Sequence, residues 1–419
     1  MKQVSVIILG CGGRGNNYAK FAEQYPERMK VTAIAEPRDF QRNRIGDKHN
    51  IPEKYRFRDW KEIAKLPKFA DAVLVCTQDA MHEEPVIRFA ELGYDIMCEK
   101  PMAPTREGCE RMVEAIRKAG VKFAVGHVLR YTKYTRKIKE LVTSGAIGDV
   151  TTIQHIESVA HWHQAHSYVR GNWRNEKESS FMLLAKSCHD MDWIRYVMNK
   201  PCVAVSSFGN LHYFKPENQP KGAADRCTDC PAEIEGHCPY SSIKIYLRDR
   251  VMKGIFGWPT DVLTNDGTVD GVMKALREGP YGRCVYKCDN DVVDHQVVNM
   301  TFADGTTAGF TMTAFCDDGR QTHVCGTRGS IQGDGRFIYL TDFVTGEKKK
   351  IDTEVANDNG ILSGHGGGDG GLMDAFVTAI AENKPEFILT GLDDTLDSHI
   401  MTFEAERARR EGKVITLKK

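Results

Sequence analysis

The chain carries no net charge: 57 Lys and Arg side chains balance 57 Asp and Glu across 419 residues. With no surplus of either sign, neither nucleic acid nor an anionic membrane is expected as a partner. Long apolar runs are missing too, since no stretch approaches the ~20 residues that cross a bilayer. The first residues lack the charged-then-apolar order of a secretion signal, because Val4 to Leu9 already read as a strand. Internal repeats and low-complexity tracts are also absent. The 13 cysteines are odd in number, and Cys76, Cys98 and Cys325 sit singly in apolar strands, where a thiol acts as a small hydrophobe. That, with a first domain of a cytosolic type, argues for a reduced compartment over a disulfide framework, so a cytoplasmic location is expected. The length suits two domains better than one.

What is present begins with Gly10-Cys11-Gly12-Gly13-Arg14-Gly15, directly behind the apolar run Val4–Leu9. A strand that breaks at Gly10 before a helix opening near Arg14 lets the backbone approach a pyrophosphate at the helix N-terminus. Gly10, Gly12, Gly13, Arg14 and Gly15 are therefore assigned to a dinucleotide. The next strand, Val31–Ala35, ends on Glu36, 21 residues beyond Gly15. A carboxylate there accepts both ribose hydroxyls and repels a 2′-phosphate, which predicts NAD. Arg38 can stack on adenine or accept a phosphate, so NADP stays open as the lesser choice. Strand and helix patterns alternate to about residue 126, predicting a doubly wound parallel sheet, a Rossmann domain over 1–126.

Beyond Gly126 strand patterns dominate: Val150–Ser158, Val203–Phe208, Val292–Phe302, Thr306–Ala314, Gln321–Cys325 and Phe337–Asp342. They predict a substrate-binding α+β domain over 127–368 with an open, mainly antiparallel sheet. Helices are expected at Tyr134–Ser144 and Leu183–Met198. Residues 369–419 should form helices that pack back on the first domain. The exposed face of so large a sheet points to a homo-oligomer.

Glu99-Lys100-Pro101 ends a parallel strand, so Lys100 faces the same crevice as the glycines. In isolation it reads either as an ion-paired surface lysine or as a proton shuttle with a lowered pKa. The glycine motif, Glu36, Thr77-Gln78-Asp79-Ala80-Met81-His82, Glu99-Lys100-Pro101, and Arg130-Tyr131 through Val150 together resemble the Gfo/Idh/MocA family of sugar and cyclitol oxidoreductases. The resemblance extends over nearly the whole chain. It implies that Lys100 is catalytic beside the nicotinamide, that Thr77, His82 and Glu99 lie near the cofactor, and that the second domain holds a sugar. The family's D-x-x-x-H-x-x-D signature reads Ala185-Lys186-Ser187-Cys188-His189-Asp190-Met191-Asp192 here. His189 and Asp192 match it, and the first acid is replaced by Ala185. Lys186, on the expected helix face, enters the pocket in that acid's place or pairs with Asp190.

The His- and Trp-rich stretch at 161–174 suits a sugar-facing loop, so His163, Arg170 and Trp173 join Arg130, Lys186, Asp192 and His295 as expected substrate contacts. Arg170, Arg174 and Lys186 hint at an anionic sugar. Cys227-Thr228-Asp229-Cys230 with Cys238 predicts a structural zinc in the irregular segment 215–240, with Cys284 as the fourth ligand. These features predict an NAD-dependent dehydrogenase acting on a secondary hydroxyl of a sugar, glycoside or cyclitol. The alternatives are a redox-neutral, NAD-dependent glycosidase and a non-catalytic NAD sensor.

Overall fold

Six strands joined by five crossovers over the sheet build the first half. The computed structural model describes residues 2–317, 319–354 and 364–417. Strands β1 (Val4–Leu9), β2 (Met29–Ala35), β3 (Arg56–Phe57), β4 (Ala72–Val75), β5 (Asp95–Cys98) and β6 (Phe123–Val125) lie in the order β3-β2-β1-β4-β5-β6. All five pairings are parallel. Ile8 and Leu74 pack on one face with helix Gly13–Gln24, whereas Leu9 and Val75 pack on the other with helices Glu83–Glu91 and Arg106–Ala119. Burial on both faces explains the unbroken apolar runs. The strand order reverses between β1 and β4, opening a crevice at their carboxyl ends.

The second half adds β7 (Val150–Ser158), β8 (Cys202–Asn210), β9 (His295–Phe302), β10 (Thr307–Thr313), β11 (Gly319–Gly326), β12 (Gly329–Gly333), β13 (Phe337–Asp342), β14 (Lys348–Asp352) and β15 (Ile415–Thr416). They form one sheet, β14-β13-β12-β11-β7-β10-β9-β8-β15, antiparallel throughout except for the parallel β7–β10 pair. Period-two alternation turns Ile153, Val298, Phe310 and Val324 into a core with helices Lys133–Thr143 and Cys188–Met198. The opposite face exposes Ile156, Phe208, Val297 and Tyr339.

Several expected elements differ. The helix expected over Leu183–Met198 is two helices, Met182–Ala185 and Cys188–Met198, with a break at Lys186-Ser187. Residues 161–170, expected as a loop, are helical, and all of Gln164–Arg170 are buried because Ala165 and Val169 pack among Tyr240, Tyr246 and Tyr281. Helix Val269–Glu278 was not anticipated, although Thr268 caps it and Val272 and Leu276 anchor it. Strand β14 is mostly lysine, and so carries no apolar alternation. At the C-terminal end, helix Gly368–Ala381 buries Leu372 and Phe376 against the first sheet, while Met401 and Ala405 of helix Leu392–Glu411 join the second core. Among the described residues no helix is long and apolar enough to cross a membrane.

Candidate active site

Two glycines build the first turn and two leave it open. Gly10 has φ +88°, and a Cβ on it would stand 2.6 Å from the Cys76 carbonyl oxygen. A Cβ on Gly15 would come within 2.0 Å of the Gly10 oxygen. Gly13, by contrast, has nothing within 4 Å of that position, and Gly12 only the Arg38 guanidinium at 3.6 Å. Helix Gly13–Gln24 starts behind this hollow with no side-chain cap and no acid in its first turn. Its first N–H groups and positive dipole end thus suit a pyrophosphate. Glu36, almost fully buried, accepts hydrogen bonds from the N–H groups of Cys11 (2.8 Å) and Arg38 (3.0 Å) and from the Arg38 guanidinium. Burial pushes its carboxyl up, but these donors outweigh burial and hold it below the ordinary range. The glycine hollow and an ionised Glu36 fit a dinucleotide.

The other residues expected around the cofactor brace that turn. Arg14 donates to Glu99 at 2.8 Å and to Asp369 at 2.8 and 3.1 Å, tying the glycine helix to the end of β5 and to the returning helix. Glu99 also accepts from the Tyr18 hydroxyl and the Lys100 N–H. His82 is fully buried, its Nδ1 2.8 Å from the Pro101 oxygen and its Nε2 3.1 Å from the Thr77 oxygen. Thr77 donates to the Met81 carbonyl. Arg14, Glu99 and His82 thus tie together the segments on either side of Lys100, while Thr77 bonds within its own loop.

Lys100 crosses to the second domain. Its Nζ donates to the Ala185 carbonyl at 2.6 Å. The helix break just after Ala185 frees that carbonyl, so the position lacking the family's acid still holds the lysine, through its backbone. His189 stands on the next helix with its Nδ1 buried and without a hydrogen-bond partner among the described residues. Burial first, then the charge of Lys100, keeps its imidazole well below the usual histidine range, neutral and able to accept a proton. The rings of His127 and His365 lie 5.7 and 6.1 Å from it. His163 joins the group: burial and then Lys186 also keep it neutral, and its ring lies 5.0 Å from Trp258. Trp162 meets the same indole edge to face at 5.4 Å, completing an aromatic wall.

Lys186 does not make the pair with Asp190 that was one of its two expected roles. Its Nζ lies 2.8 Å from Glu157, whose other oxygen is 2.9 Å from Arg320. Arg320 also holds Asp190, which contacts His155 at 3.0 Å. Glu157 and Arg320 had no motif to announce them, and only the inward parity of their strand positions signals them.

Other expected contacts lie elsewhere. Arg130 and Asp192, instead of meeting substrate, form a fully buried bidentate pair at 2.7 Å, reinforced by Ser398 and Asp394. Arg170 is buried in the helix at 164–170, donating to the carbonyls of Arg283 and Tyr240. Trp173 packs against the second core. His295 shares the outer face of β9 with Val297, whereas Glu157, partner of Lys186, points inward. The sheet separates them. A hollow of about 590 Å³ between helices Trp60–Ile63 and Glu83–Glu91 lies apart from this site and adds no residue to it.

The zinc expectation is not supported. Cys227, Cys230, Cys238 and Cys284 do line one cavity of about 30 Å³. Yet among the described residues no group of three or more His, Cys, Asp or Glu is placed to hold a metal ion. Cys227 instead accepts from Arg170 and the Ser242 N–H, and Cys284 from Gln219. Burial pushes the Cys238 and Cys284 thiols up. Phe214, Tyr240, Tyr246 and Tyr286 supply the core that this segment was expected to lack.

Comparison with known proteins agrees with this architecture. Residues 4–127 match the NAD-binding Rossmann fold of the Gfo/Idh/MocA oxidoreductase family, and residues 139–417 match its C-terminal alpha/beta domain. The putative oxidoreductase YteT of Bacillus subtilis is 23% identical over 396 residues, 88% of this chain and 87% of that protein. The 2,7-anhydro-N-acetylneuraminate hydratase of Escherichia coli is 27% identical over 212 residues, 50% of this chain and 54% of that protein, so the match spans about half of each. The structure of levoglucosan dehydrogenase with NADH superposes with a TM-score of 0.71 at 17% identity, covering 100% of both chains. With both halves matched, the chain belongs to the Gfo/Idh/MocA family of oxidoreductases and is an enzyme of that family.

Proposed function

We propose that this enzyme uses NAD to oxidise a secondary hydroxyl of a neutral sugar, glycoside or cyclitol, with Lys100 and His189 as its proton relay. The observation that carries this reading is Lys100 at the carboxyl end of β5, clamped on the Ala185 carbonyl beside a buried, neutral His189. When bound, the nicotinamide supplies the hydride acceptor. The Lys100 charge stabilises the developing alkoxide in a water-poor crevice, and His189 accepts the proton. Glu36 favours NAD over NADP. The cations that hinted at an acidic sugar are engaged: Arg174 by Asp289 and Glu178, Lys186 by Glu157, and Arg170 by carbonyls. A neutral polyol with one apolar face on Trp258 fits what remains. Ile156, Phe208 and Val297 on the outer sheet face support a homo-oligomer.

A second reading, redox-neutral glycoside cleavage by transient oxidation, elimination, hydration and re-reduction, draws on the half-length similarity to a protein named a hydratase. A panel of sugars, cyclitols and aryl glycosides, read for both NADH absorbance and aglycone release, separates the two. NADH accumulation supports the dehydrogenase. Aglycone release without it supports the second reading, and neither signal across the panel removes both.

A further inference from the structure

His365 lies next to the relay and has no part in it so far. It sits in the turn Gly364–Gly367 with φ 49°, a left-handed conformation uncommon outside glycine. Its Nδ1 is 3.0 and 3.1 Å from the two oxygens of buried Asp369, which fixes the ring. Nε2 has no hydrogen-bond partner among the described residues, and the side chain is 44% exposed. The ring is 6.1 Å from His189.

We propose that His365 takes up the proton released when the substrate hydroxyl is oxidised, so that its protonation is coupled to the redox state of the bound nicotinamide. This rests on the NAD-dependent oxidation proposed above. In that step the O–H bond breaks, and its electron pair stays on oxygen to close the C=O bond. The C–H pair leaves as hydride to oxidised nicotinamide. The proton passes the Lys100–His189 pair and ends as an N–H bond on His365 Nε2.

The surroundings separate the roles of the histidines. His189 and His163, held neutral by burial and by neighbouring lysines, can pass a proton but do not keep it. His365 is open to solvent on one side and faces the Asp369 carboxylate on the other. Among the described residues, the groups facing it are few. Asp369 is shared with Arg14 and Asn17 from the glycine helix. His189 and, through the site, His163 and Lys100 face it from the second domain and from β5. The turn Val128–Tyr131 packs against it, but Arg130 there is paired with Asp192 and Tyr131 with Thr390.

Oxidised nicotinamide carries a positive charge and the reduced ring none, so a protonated His365 opposes NAD⁺ more than NADH. The test measures both dissociation constants of the full chain by fluorescence and calorimetry between about pH 8.5 and about pH 5.5. The ratio of the NAD⁺ Kd to the NADH Kd should rise about tenfold on acidification, and by less than about twofold in His365→Gln. His365→Asn gives the same readout should the first variant fail to fold. An equal rise in unmodified and variant protein, or a flat ratio in the unmodified protein, overturns the proposal while leaving NAD-dependent oxidation standing. Failure of both nucleotides to bind defeats the parent reading, and this one with it.

Discussion

At the carboxyl edge of the first sheet, Gly10, Glu36 and Lys100 end β1, β2 and β5, and their backbones are fixed by the strands themselves. Glu36 is set by the N–H groups of Cys11 and Arg38, one at the next strand end and one two residues on. Across the crevice the rule is different. Arg130 meets Asp192 and Asp394, and Lys186 meets Glu157, each from a separate segment of chain. One wall of the site is therefore specified by local order, and the other by which distant charges pair. A polar residue on the second wall takes its role from its partner, not from the motif it belongs to.

The sharpest way to break that contrast is to cut one of the distant pairs. Arg130→Met leaves Asp192 charged and buried, a cost of about 3–5 kcal/mol. Guanidinium and burial act in opposition on that carboxyl at present: burial raises it, and Arg130 more than offsets the rise. A large fall in the denaturation midpoint is the expected result. Unchanged stability with a raised KM would return Arg130 to the substrate site.

The first wall is tested by Lys100→Ala. Removing a proton-transferring cation should lower turnover by ~10²-fold or more while NADH affinity stays near normal. Near-normal turnover would leave Lys100 with the bracing role that Glu99 and His82 already have.

Glu36→Ala is the milder probe of the same wall. Loss of a carboxylate that accepts ribose hydroxyls should narrow the preference for NAD over NADP by about tenfold. Tighter NADP binding by the unmodified chain would refute the role given to Glu36, and would turn attention to Arg38, whose side chain is 59% exposed.

Much of the first wall was legible because its signals are short-range. Glycines follow a strand, an acid ends the next, and Glu99-Lys100-Pro101 ends a third. Strands Val150–Ser158 and Phe337–Asp342 fall on their expected boundaries for the same reason. The second wall was readable only in part. His189 could be placed from its spacing, but the break at Lys186-Ser187 could not, because it answers to Lys100 reaching in from 85 residues away. Helical spacing put Ala185, Lys186, His189 and Asp190 on one face, and the break cancels that geometry. His295 was assigned from the family resemblance, in which that sheet faces the crevice, without its parity, and parity alone puts it outside. Trp258 stands in an irregular stretch whose contacts with Trp162 and His163 exist only once the chain has folded.

The cysteine segment gives the smallest expected effect. A C-x-x-C turn with two more cysteines nearby has the composition of a zinc site, and all four thiols do reach one cavity. A structural zinc in such a site supplies on the order of 10 kcal/mol of folding free energy, so its removal would melt the segment. Here order has other sources. Arg226 donates to the Leu276 carbonyl, Arg170 donates to two further carbonyls, and four buried aromatic rings pack between them. Chelator treatment should therefore leave the melting temperature unchanged, and elemental analysis of protein purified without added metal should find no stoichiometric zinc. A chelator-induced drop of several degrees, matched by about one zinc per chain, would mean that the four thiols close on an ion after all. The second wall would then have one region whose local motif, not its distant partners, decided its structure.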